Sequence, residues 1–99
     1  MCGAPAQSPT LPAGIDLSKE TVIYGTVEKD DAPVPGAYVR LLDGTGEFTA
    51  EVVTSASGDY RFFAAPGKWT LSVLHRDGNV RKDVHALEPG LIESRLVLA

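Results

Sequence analysis

Between residues 21 and 98 apolar side chains recur at about every second position in short runs, and the runs end at clusters of Gly, Pro, Asp or Ser. Alternation at period two sends successive side chains to opposite faces of a strand, so these runs predict half-buried strands. Seven segments fit. TVIYGTV (21–27) sets Ile23 and Val27 on one face, and AYVRLLD (37–43) sets Ala37, Val39 and Leu41 inward with Tyr38 and Arg40 outward. EFTAEVVTS (47–55) comes next, then YRFFA (60–64), in which Tyr60 and Phe62 share a face. WTLSVLH (69–75) gives Trp69, Leu71, Val73 and His75 one parity; VRKDVHA (80–86) is a weaker strand, and LIESRLVL (91–98) closes the series. DDAPVPG, GTG, ASGD, APGK, RDGN and LEPG lie between them and supply turn residues.

No stretch shows a convincing helical period. Strands repeating at roughly 8–12 residues predict an all-β fold, a seven-stranded antiparallel β-sandwich. Its expected core comprises Val39, Leu41, Tyr60, Phe62 and Trp69. The last strand is apolar on both faces, with Ile92, Leu96 and Leu98 on one and Leu91 and Val97 on the other. An edge of that kind predicts a homodimer or a protein contact there.

Residues 1–20 break with this pattern. Pro5, Pro9 and Pro12 interrupt them and no hydrophobic period develops. They are expected to form a mobile arm with a reach of roughly 25 Å, leaving residues 21–99 as the sandwich domain.

Composition narrows the function classes. The chain has 99 residues, enough for one domain with its own core. A net charge of −4 argues against nucleic acid or an anionic membrane surface as partner. The single cysteine, Cys2, excludes an internal disulfide. No basic and apolar leader precedes it and no apolar run has spanning length, so a cytoplasmic location is expected.

The order GTV…PVPGAYVRLLD…EVVTSASGDYRFFAAPGKWTLSV resembles the transthyretin-like, or prealbumin-like, sandwiches of carboxypeptidase regulatory domains. That resemblance implies architecture only. A narrower one rests on MCGAPAQ, KETVI, VRLLD, TGEFTAEVVTSASGDYRFFAAPG and WTL, which resemble an uncharacterised family of small actinobacterial proteins. Members of that family tend to be encoded beside a thiosulfate sulfurtransferase, a rhodanese. The resemblance therefore implies an accessory role in sulfur metabolism and no established activity.

Candidate chemistry is sparse. With Met1 removed, the Cys2 thiol would sit beside the α-ammonium group, and a neighbouring positive charge favours the reactive thiolate. Such a thiol could accept sulfane sulfur from a sulfurtransferase persulfide or serve as a docking thiol for that partner. The plain alternative is a protein-interaction module in which Cys2 is incidental. Arg76, Arg81 and Lys82 bracket the DGN turn and form a weak anion patch, offset by Asp77 and Asp83. His75 reads as a hydrogen-bonded rim residue and His85 as part of a solvated face. Cys2, His75 and His85 match no ligand spacing, so neither a metal nor another cofactor is expected. Glu28, Asp30 and Asp31, with Asp43 near them, read as a solvated acidic corner rather than a calcium loop. A small hydrolase is the least favoured reading. Transthyretin-like hydroxyisourate hydrolases end in Tyr-Arg-Gly-Ser, and this chain reads ESRLVLA there.

Overall fold

The computed structural model of the chain describes residues 19–98. Cys2 and most of the predicted arm lie outside them. Nine strands follow one another: β1 (Thr21–Lys29), β2 (Ala32–Pro33), β3 (Tyr38–Leu42), β4 (Phe48–Val53), β5 (Asp59–Ala64), β6 (Gly67–His75), β7 (Gly78–Ala86), β8 (Gly90–Glu93) and β9 (Leu96–Val97). They form two sheets. One is antiparallel, in the order β4-β3-β6-β7. In the other, β1 is central, with β5 and β2 antiparallel along one flank and β8 and β9 parallel along the other.

The inner faces of the sheets meet as the alternation requires. Ile23 and Val27 from β1, Val39 and Leu41 from β3, and Tyr60 and Phe62 from β5 are all buried in one cluster. Removing their apolar surface from water is the main favourable term, at roughly 25 cal/mol per Å². Trp69 departs from the expectation. It packs against the cluster but is only partly buried, and its indole N–H donates to the Ala65 carbonyl at 2.9 Å. Its parity is inward and its register partner Val84 is buried, but the ring itself is only partly covered.

The final segment also differs from a single antiparallel strand. It divides into β8 and β9, and both run parallel to β1. β7 ends near the start of β1, so the chain continues alongside β1 in the same direction, with the Gly90 N–H on the Glu20 carbonyl at 2.9 Å. The break between β8 and β9 falls where Ser94 passes over Gly25. The Ser94 N–H donates to the Tyr24 carbonyl at 2.8 Å, and the buried Tyr60 hydroxyl donates to the Ser94 carbonyl. A Cβ at position 25 would lie 1.9 Å from that carbonyl oxygen. Only glycine admits this crossing.

β1 and β2 meet in a two-residue turn at Asp30 (φ 52°) and Asp31 (φ 64°), where a longer proline-stiffened turn was expected. Positive φ at both central residues matches the right-handed twist of the flanking strands. On the edge strand β7, Lys82 is the register partner of the core residue Leu71, so it stands on the inner side. Its ammonium reaches the Arg95 carbonyl at 3.4 Å. An inward-pointing charge of this kind discourages edge-to-edge pairing.

Candidate functional site

Three connections gather at one end of the sandwich: the β1–β2 turn, residues 34–37 and the β6–β7 turn. Thr54, itself buried, holds the middle one. Its hydroxyl accepts the Ala37 N–H at 2.8 Å and donates to the Val34 carbonyl at 2.7 Å, while its carbonyl accepts the Gly36 N–H at 3.2 Å. Thr54 thus fixes the Pro35–Gly36 corner against β3. The Lys29 ammonium donates to the Asp77 carbonyl and ties the first turn to the third.

These contacts shape a groove of about 580 Å³ on the outer face of the four-stranded sheet. Tyr38, Leu74 and Asn79 are register neighbours across β3, β6 and β7 and form its base. Pro35 and Gly36 close one side, and His75 and Arg76 close another. Leu74 is 40% exposed and gives this base an apolar centre. His75 Nδ1 accepts the Asp77 N–H at 3.1 Å, so in neutral imidazole the proton sits on Nε2. Across the Pro35 and His75–Arg76 ridge lies a second depression of about 530 Å³, lined in part by Lys29, Asp30, Pro33 and Asp77.

Of the predicted cations, only Arg76 lines these hollows. Arg81 and Lys82 are consecutive in β7 and so point to opposite faces. Arg81 stands opposite Ser72 on the outer face, while Lys82 stands opposite Leu71 on the inner one. The three therefore do not converge. Tyr38, Leu74 and Asn79 were not singled out from sequence; the only signal was their outward parity.

The remaining candidates are spread out. His75 pairs with Gly78 and His85 with Lys68, at opposite ends of the β6–β7 hairpin. Seven strand residues at about 3.3 Å each separate the two by roughly 23 Å, too far to share an ion. Glu28 joins Arg95 through a two-point fork with both N···O distances at 2.9 Å, and Asp31 approaches the same guanidinium at 3.6 Å. The Arg95 hydrogen bond and then the Thr26 hydroxyl hold the Glu28 carboxyl below its ordinary value. Asp43 is not part of that corner. At the far end of β3 it accepts from the Thr45 hydroxyl and from the Thr45 and Glu47 N–H groups, and the Thr45 hydroxyl contributes most to lowering its pKa. Cys2 lies outside the described residues. Among those residues, no cluster of three or more His, Cys, Asp or Glu is placed to hold a metal, and no helix is long and apolar enough to cross a membrane.

Fold and site together define a small two-sheet β-sandwich in which acidic residues serve as turn caps and inter-strand clamps, with two neighbouring hollows at one end. The chain belongs to the family described as Protein of unknown function (DUF1416), whose model matches residues 2–98. Two uncharacterized proteins of Mycobacterium tuberculosis are each 62% identical over 80 residues, covering 80% of this chain and 80% of theirs. One from Mycolicibacterium smegmatis is 56% identical over 84 residues, 84% of this chain and 93% of that one. Among solved structures, catechol 1,2-dioxygenase from Acinetobacter sp. ADP1 is similar at TM-score 0.63 and 14% identity, over 98% of this chain. The match spans 59% of that dioxygenase, less than two thirds of its length. A DUF3823 family protein from Parabacteroides merdae is similar at TM-score 0.59 and 18% identity, over 83% of this chain and 47% of that one. At such identities the likeness concerns the fold alone.

Proposed function

We propose that the chain is an accessory protein of sulfur metabolism that accepts sulfur from a thiosulfate sulfurtransferase on the Cys2 thiol. The observation that carries this reading is the reach of the family match, which begins at Cys2, the one thiol in the sequence. The narrower resemblance supplies the partner class. In the transfer, the Cys2 thiolate attacks the outer sulfur of the enzyme's persulfide. A new S–S bond forms, the enzyme's S–S bond breaks, and the enzyme cysteine leaves as thiolate, with no net oxidation. The step calls for no cofactor and suits a reducing, cytoplasmic setting. A single turnover with sulfurtransferase already carrying its persulfide tests it. The wild-type chain is expected to discharge that persulfide to the free enzyme thiol and to gain sulfane sulfur that a thiol reductant removes; equal discharge by Cys2→Ser would overturn the thiol role.

A second reading, a protein-interaction module without thiol chemistry, is favoured by the outer face of the five-stranded sheet. Phe63 is 50% exposed, Leu91 47% and Val97 48%. Self-association through the C-terminal strands would cover part of this face. Light scattering at micromolar concentration should then show a dimer that Val97→Lys dissociates, and a strict monomer would exclude it.

A further inference from the structure

We propose that the groove bounded by Tyr38, Leu74, His75, Arg76 and Asn79 is a binding site for a carboxylate that carries a short apolar tail. The inference is independent of the Cys2 reading, since none of these residues is needed for sulfur transfer.

Three observations carry it. The first is charge. The chain as a whole is −4, yet the groove lining contains a full cation, Arg76, together with His75 and no carboxylate. Asp30 and Asp77 line the neighbouring depression, which His75 and Arg76 also border, and Asp77 Oδ2 lies 3.6 Å from His75 Nδ1, so the groove's charge is that of Arg76. A cation beside a concave, partly apolar wall raises the local concentration of anions.

The second is polar capacity that no other described side chain takes up. Arg76 makes no ion pair among the described residues, whereas Arg40 and Arg95 are both committed to carboxylates. The Tyr38 hydroxyl and the Asn79 amide border the same hollow without a side-chain partner among the described residues. Together with the guanidinium fork they offer several donors for a planar carboxylate, which guanidinium can take through two parallel bonds.

The third is the base. Leu74 lies exposed between Tyr38 and Asn79, with Pro35 beside it. A ligand bound only through its charge would gain nothing from this apolar floor; an acid with a propyl- to phenyl-sized tail covers it. Small-molecule sites combine an apolar lining with a few placed polar groups in this way. Thr54 and the Lys29–Asp77 contact hold two of the walls in place, so the groove is preformed.

The same chemistry has two sources, a free small organic acid or the C-terminal carboxylate of a peptide ending in an apolar residue. The full-length chain, labelled with ¹⁵N, is titrated with phenylacetate and with its neutral counterpart phenylacetamide. A tetrapeptide ending in leucine is added with either a free or an amidated terminus. Phenylacetate or the free-terminus peptide should shift the amides of Gly36, His75, Arg76 and Asn79 with millimolar or tighter affinity, and the neutral counterparts should bind at least tenfold more weakly. Tighter binding by the peptide assigns a protein terminus as the source, and tighter binding by phenylacetate assigns a small acid. Arg76→Gln should weaken binding about tenfold while leaving amide shifts remote from the groove unchanged, and Arg76→Lys should restore part of it. Shifts elsewhere only, equal binding of acid and amide, or undiminished binding to Arg76→Gln would each overturn the proposal.

Discussion

Gly25→Ala is the sharpest perturbation of the fold, because a single methyl group collides with main chain. The added Cβ would sit 1.9 Å from the Ser94 oxygen and 2.7 Å from its carbonyl carbon. Ordinary contact begins near 3.4 Å, so Ser94 must retreat by more than an ångström. Retreat stretches two hydrogen bonds at once, Ser94 N–H to Tyr24 and Tyr60 hydroxyl to Ser94. Each leaves a buried polar group short of a partner, at a cost of about 1–3 kcal/mol. The expected loss is therefore about 2–6 kcal/mol, a large share of the roughly 5–15 kcal/mol that stabilises an ordinary domain. Tyr60→Phe removes only one of the two bonds and should cost about 1–3 kcal/mol. Both variants strike the same carbonyl, so the double variant should lose less than the sum of the singles. Urea unfolding followed by circular dichroism gives all three values. A Gly25→Ala chain within about 0.5 kcal/mol of wild type, or strict additivity with Tyr60→Phe, would refute the crossing as the cause.

Other predictions concern the periphery. The Glu28–Arg95 fork lowers the folded-state pKa of Glu28 below the ordinary 4.5, so its contribution is present above that pH and fades as pH falls through the folded value. The stability gap between wild type and Glu28→Gln, measured by urea titration from pH 7 down to pH 3, should therefore shrink with acid; a constant gap would be against it. Trp69→Ala should cost about 1–3 kcal/mol rather than the 3–5 of a fully enclosed aromatic, because Trp69 is only partly buried; complete unfolding would contradict that placement. Lys82→Val should leave the fold intact and promote association, seen as a concentration-dependent rise in mass by light scattering. An unchanged monomer would show that the inward charge does not protect the β7 edge.

The sandwich was legible because burial on one face leaves a period-two signature, and β3, β5 and β6 carry it cleanly. Val39, Leu41, Tyr60 and Phe62 are buried as that parity requires. The misplacements have separate physical origins. Trp69 has the right parity, but parity does not say how much of so large a ring its neighbours cover. The division of the last strand depends on Gly25 and Ser94, 69 positions apart, and only the glycine inside TVIYGTV hints at a close backbone approach. Asp30 and Asp31 make a two-residue turn without the glycine that usually marks one. The groove was the least legible feature. Tyr38, Leu74 and Asn79 come from three strands and meet through register, and of its lining only Arg76 had been read as an anion contact.

If Cys2 receives sulfur as proposed, the intact chain gains mass at that residue. The full-length protein is incubated with thiosulfate and an active thiosulfate sulfurtransferase, and then weighed by mass spectrometry with and without reductant. A gain of one sulfur atom, reversed by the reductant and absent from Cys2→Ser, is the predicted result. No gain while the sulfurtransferase remains active, or the same gain in Cys2→Ser, would contradict it.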